Sequence, residues 1–120
     1  MSRSCDGPGG ADRSPIACKL TGDEAAAWRG EMRELVVTVE EVRELDDGFA
    51  LRYPGGDGVP DRLQMLADFI KGERECCPFF RFEVELEPEG GPIWLRLRGR
   101  PGVKEYLESE LVEAFGLPRA

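Results

Sequence analysis

Cys76 and Cys77 stand side by side in the run Glu73-Arg74-Glu75-Cys76-Cys77-Pro78-Phe79-Phe80, in a chain that has four cysteines and no histidine. Without imidazole, the chemistry open to this protein is that of thiols and carboxylates. Consecutive Cα atoms are about 3.8 Å apart, short of the roughly 4.4–6.8 Å that an ordinary disulfide spans. A Cys76–Cys77 bond would therefore be strained and readily reduced. Two neighbouring thiolates instead match a soft metal ion. Two sulfurs do not complete a tetrahedral zinc site, and Cys18 is the natural third ligand, with Glu73 and Glu75 as candidate oxygen ligands. Three thiolates in a trigonal arrangement suit a thiophilic ion, such as zinc or mercury, better than magnesium or calcium.

Other readings of the same residues stay open. Free cysteine is among the most buried residue types and packs as a small hydrophobe. Cys77 follows Ile70, and Cys76 follows Phe69, by seven residues on one apolar helical face, so both could simply cap a core. A redox switch is a further alternative. Thiol catalysis fits least. No histidine is present to serve as base, and the pair falls at a predicted helix C-terminus, where the backbone dipole disfavours a thiolate. Arg74 and Arg81 are the only cations close by in sequence, and the spacing is not Cys-x-x-Cys. Phe79 and Phe80 read as core; exposed beside the thiols, they would instead line a binding cleft or a dimer surface.

The elements that must position these residues follow from periodicity. Residues 1–15, rich in Ser, Gly, Pro and Asp, read as a disordered leader, with one domain over 16–117. Thr21 and Glu24 form a capping box. It opens a helix carrying Ala25, Trp28, Met32, Leu35, Val36 and Val39 at spacings of three and four. Residues 41–45 and 49–53 read as strands joined by an Asp-Gly hairpin turn. A second helix starts near Val59 or Pro60 and uses Val59, Leu63, Leu66, Ala67 and Ile70, until Pro78 ends it. Residues 80–86 alternate strictly, 87–92 turn, and 93–98 form the partner strand. Val103 to Phe115 is a last helix, with Val103, Leu107, Leu111, Val112 and Phe115 on one side. The expected fold class is α+β, an antiparallel sheet of two hairpins with helices packed on one face, in the order α-β-β-α-β-β-α. Arg96, Arg98 and Arg100 make a basic stripe whose partners are expected across the hairpin at Glu83, Glu85 and Glu87. Trp28, Trp94 and Phe82 read as core.

The bulk properties narrow the function classes. At 120 residues and net charge −8, the chain is expected to be one acidic domain that repels nucleic-acid phosphates and anionic lipid. No run approaches the ~18 apolar residues of a membrane span, and residues 1–15 lack the apolar core of a secretory signal. Cytoplasmic residence is the resulting expectation, with reduced thiols. The glycine clusters have neither P-loop nor dinucleotide-binding spacing.

The stretch from Phe69-Ile70 to Trp94-Leu95-Arg96-Leu97, with Glu-Cys-Cys-Pro-Phe at its centre, resembles a group of small uncharacterised bacterial proteins. These share an acidic residue ahead of Cys-Cys-Pro-Phe, a hairpin containing Gly-Gly-Pro, and a closing helix. Cys18-Lys19-Leu20-Thr21 and Asp47-Gly48-Phe49-Ala50-Leu51 are similar to the N-terminal half of the same group, so the resemblance covers about residues 16–115. It implies an association with heavy-metal handling, with Cys18, Cys76 and Cys77 as the matching thiols. The expectation is a protein that binds a thiophilic metal or metalloid ion for sequestration, sensing or delivery, without turnover. The alternatives are a structural or interaction domain, including a homodimer, whose cysteines only pack, and a thiol-redox sensor or enzyme.

Overall fold

The computed structural model describes residue 16, residues 23 and 27, and residues 33–120. The leader 1–15, the Thr21–Glu24 capping box, Trp28, Met32, Cys5 and Cys18 lie outside the described residues. Residues 23, 27 and 33–36 are helical. Leu35 and Val36 are buried, and the chain leaves the helix in the β-branched run 36–39, where χ1 crowding disfavours a further turn. The Thr38 hydroxyl donates to the Leu35 carbonyl at 2.7 Å across that exit.

Over the described residues the protein is α+β, with the order β-β-α-β-β-α around a four-stranded antiparallel sheet. Strands β1 (Glu41–Leu45) and β2 (Gly48–Tyr53) form the first hairpin. Helix α1 (Val59–Cys76) follows a single 3₁₀ turn. Strands β3 (Arg81–Leu86) and β4 (Ile93–Arg98) form the second hairpin. The sheet order is β1-β2-β4-β3, so the second strand of each hairpin meets the other at the centre. The last helix runs as α2 (Val103–Leu107) and widens into a π-helical stretch at Glu108–Glu113. Val103, Leu107, Leu111 and Val112 are buried along it. None of the helices among the described residues is long and apolar enough to cross a membrane.

The core forms against one face of the central strands. Phe49, Leu51 and Tyr53 on β2, with Ile93, Leu95 and Leu97 on β4, are all essentially inaccessible. The opposite face carries the arginine stripe. Arg96 pairs with Glu85 at 2.5 Å, and Arg98 pairs with Glu83 at 3.0 Å and Asp47 at 2.9 Å. Glu83 and Glu85 are partners as expected, whereas Glu87 binds Trp94 and Asp47 is an added partner; the two hairpin links are diagonal, because the register sets Glu83 opposite Arg96 and Glu85 opposite Trp94. Trp94, expected in the core, lies on this charged face. Its indole N–H donates to Glu87 at 2.6 Å, and Arg43 sits over its ring at 4.8 Å. Charged neighbours, not the apolar cluster, bury it.

Two other expectations shift. The first hairpin turns at Asp46-Asp47, one residue earlier than Asp-Gly predicts, since Leu45 pairs with Gly48. Gly48 is needed for a different reason: a Cβ there would lie 1.9 Å from the Leu97 carbonyl oxygen, so β4 approaches this backbone too closely for any side chain. The buried stripe of α1 is also rotated from the one predicted. It runs through Leu66, Phe69, Glu73 and Cys76, while Ala67 is exposed and Leu63 and Ile70 are half-buried.

The sheet edges differ. Along β1, Val42 donates its N–H to the Pro118 carbonyl at 2.7 Å and accepts from the Ala120 N–H at 2.9 Å. On β3, Val84 and Leu86 share a face with Leu95 and Ile93 yet remain 40% and 50% exposed. The strict alternation is present, but the core does not extend to cover this edge strand.

Candidate thiol site

Glu73, Cys76 and Cys77 meet because helical spacing puts residues i, i+3 and i+4 on one side. The Cys77 N–H donates to the Glu73 carbonyl at 2.6 Å, closing the last turn. Cys77 then departs from helical geometry, with φ −130° and ψ 73°. Pro78 has no N–H to extend the ladder. The Phe80 N–H returns to the Cys77 carbonyl at 3.3 Å, so the chain folds tightly back towards β3. This turn buries both cysteines, leaving each 2% exposed.

The two sulfurs are 3.5 Å apart, with the Cys77 thiol directed at the Cys76 sulfur. They are not joined: Cys76 is disulfide-bonded, while Cys77 is a free thiol. That agrees with the strain expected of a bond between sequence neighbours.

Tyr106, from α2, reaches the same place. Its hydroxyl lies 3.6 Å from the Cys77 sulfur, and either group can donate. Phe79 packs edge-on against Tyr106 at 5.4 Å and against Phe80 at 4.9 Å, and Arg100 lies over the Phe79 ring at 5.9 Å. The sulfurs therefore sit against an aromatic wall with one phenol in it. Sequence reasoning missed Tyr106. The only available signal was its position three residues after the buried Val103 at the start of the last helix.

The electrostatics favour the protonated thiol. Burial pushes Cys77 up to about 12, reinforced by the charge and hydrogen bonding of Glu73 and by the charge of Glu110, with the Tyr106 hydrogen bond acting the other way. Burial likewise raises the Tyr106 phenol, and Cys77 adds to the effect. A thiol held this way is a poor nucleophile near neutral pH, so the arrangement is not that of a catalytic cysteine.

Of the residues singled out from sequence, Glu73, Cys76, Cys77 and Phe79 come together, with Phe80 half-buried at their border. Glu75 is exposed and lines a groove with Ala67, Ile70, Lys71 and Arg74. Cys18 is outside the described residues. Among the described residues, no group of three or more Cys, Asp or Glu side chains is arranged to hold a metal ion. The described part of the site is thus two sulfurs in an acidic, aromatic setting. Comparison with models of known protein families, with curated proteins and with solved structures gives no significant match.

Proposed function

We propose that this protein binds a thiophilic metal or metalloid ion in its reduced state through Cys76, Cys77 and Cys18, for sequestration, sensing or delivery in a reducing compartment. One observation carries the reading: Cys76 touches the free thiol of Cys77 while its own bond goes to a different sulfur. Three sulfurs at one point are the donor set that soft ions select. The chain's remaining cysteines are Cys5 and Cys18, and we assign the third sulfur to Cys18 because its position falls within the domain expected over 16–117, whereas Cys5 falls in the leader. The resemblance to bacterial proteins associated with heavy metals supports the same assignment.

The test uses the full chain reduced with a phosphine, offered zinc, mercuric or arsenite ions and examined by native mass spectrometry. One ion per chain is expected, lost in a Cys76→Ala/Cys77→Ala variant whose thermal melt confirms folding. An apo spectrum for the reduced wild type with all three ions would overturn the proposal. The Cys76 disulfide favours a second reading, a thiol-redox sensor. That reading predicts full reversibility of the bond by glutathione and no ion retention.

A further inference from the structure

We propose that the open edge of β3 docks a second copy of this chain, whose own β3 adds antiparallel to it and makes one continuous sheet through both molecules. The proposal is independent of the thiol site.

The two edges of the sheet are finished differently. On β1 the chain's own C-terminal residues occupy the outer backbone groups, through the Val42 bonds to Pro118 and Ala120. At β3 the sheet ends, and among the described residues no backbone group pairs with the outer side of Arg81–Leu86. The register fixes which groups face outward. The Glu87 N–H donates to the Pro92 carbonyl at 3.1 Å. Pairing then runs without a bulge from Leu86 opposite Ile93 to Arg81 opposite Arg98. Hydrogen-bonded pairs alternate along an antiparallel ladder. Arg81, Glu83 and Glu85 therefore turn their N–H and C=O groups towards β4, and Phe82, Val84 and Leu86 turn theirs outward.

Natural edge strands are blunted by proline, lysine, a bulge or an inward-pointing charge. β3 carries none of these. Its side chains on the core face are Phe82, Val84 and Leu86. Val84 and Leu86 are two of the three large apolar side chains exposed among the described residues. Exposed apolar surface and unpaired backbone thus coincide on one strand.

The charges decide for a second copy. The other face of β3 reads Arg81, Glu83, Glu85, an order whose ends complement each other when the strand is reversed. A two-fold axis through Glu83 sets Arg81 of each copy opposite Glu85 of the other, and Phe82 opposite Val84. Phe82 and Val84 both carry outward backbone groups, so they exchange N–H···O=C bonds on each side of the axis. The Arg81 side chain is 74% exposed and lies where the second copy's carboxylate arrives. Only the axial Glu83 pair is like-charged, and each of these carboxylates already holds Arg81 at 3.2 Å and Arg98 at 3.0 Å. An axis through Val84 would instead set Glu83 against Glu85 on both sides, a destabilising arrangement. A single strand edge buries less than the ~1,600 Å² of a standard interface, so the dimer dissociates on dilution.

The test is sedimentation velocity of the full chain over the micromolar to millimolar range, with amide hydrogen exchange on the same samples. The expected result is a shift from monomer to dimer with rising concentration, together with slower exchange of the Phe82 and Val84 amides. Val84→Lys puts a charge into the exposed apolar strip, and Val84→Pro deletes an outward N–H that the hairpin does not use. Each should raise the concentration of half-dimerisation at least about tenfold while the thermal melt stays native. Arg81→Glu opposes like charges on both sides of the axis and should raise it about three- to tenfold. Lys104→Glu makes the same charge change beside Glu44 of β1, at the far edge, and should leave it within about twofold. A monomer at every concentration would overturn the proposal, even if an unrelated extended peptide bound β3. So would a dimer that both Val84 variants retain, or protection that appears on another element and not at Phe82 and Val84.

Discussion

At the scale of single residues, position along a helix decides the behaviour of the thiol pair. The same Cys77 that would be an ordinary surface thiol in an extended chain is here sealed under Phe79 and Tyr106 with a carboxylate one turn back. At pH 8 a thiol raised to about 12 carries on the order of a thousandfold less thiolate than an unperturbed one. Alkylation of Cys77 by iodoacetamide in the native protein should therefore be slower than in the urea-unfolded chain by that order, read by peptide mass mapping. Comparable rates would mean the thiol is neither buried nor protonated. Tyr106→Phe removes the hydrogen bond that, among the described residues, favours the Cys77 thiolate, so it should slow native alkylation further while costing at most about 1 kcal/mol of stability. Faster alkylation would contradict the geometry. Glu73 was legible in sequence as a candidate oxygen ligand in the same run as the two cysteines. Tyr106 was not, because 29 residues separate it from Cys77 and only the return of the last helix across the sheet brings them together.

Elements were legible where a local pattern meets a local stop. The strand Ile93–Arg98 and the start of α1 beside Pro60 came directly from alternation and from proline. The turn of the first hairpin was misplaced by one residue because Gly48 reads as a turn glycine, although its absent side chain serves contact with β4 instead. Gly48→Ala should consequently destabilise the fold by at least about 2 kcal/mol in urea titration, an overpacking cost against backbone that cannot yield. A neutral result would show that the β2–β4 register can shift. The Arg98 ion pairs with Glu83 and Asp47 lie at the sheet surface within reach of water, and Arg98→Ala should leave the urea midpoint nearly unchanged. The two elements with no sequence signal are backbone features: the pairing of Pro118 and Ala120 with Val42, and the π-helical widening at Glu108–Glu113. Neither depends on a side-chain pattern.

For the whole molecule, the thiol site couples folding to pH. The folded-state value of Cys77 is raised, so its contribution to stability is complete below the ordinary thiol value near 8.5 and is lost as pH climbs through about 12. The buried phenol of Tyr53 and the half-buried phenol of Tyr106 are raised as well and act in the same direction. Unfolding free energy should fall between pH 9 and 11, with Cys77 contributing a slope of up to about 1.4 kcal/mol per pH unit. In Cys77→Ala that share of the slope should vanish, whereas an unchanged slope would place the titration elsewhere. The α+β class and the strand pairing within each hairpin could be anticipated from sequence. The meeting of β2 with β4, which sets the core and leaves β3 at an open edge, could not, because it is a choice between edges that the alternation leaves equivalent. The proposed site would hold one soft ion on three sulfurs. X-ray absorption at the edge of the ion bound to the reduced protein counts those neighbours directly. Three sulfurs at about 2.3 Å are expected; a shell of oxygen or nitrogen donors, or fewer than three sulfurs, would contradict it.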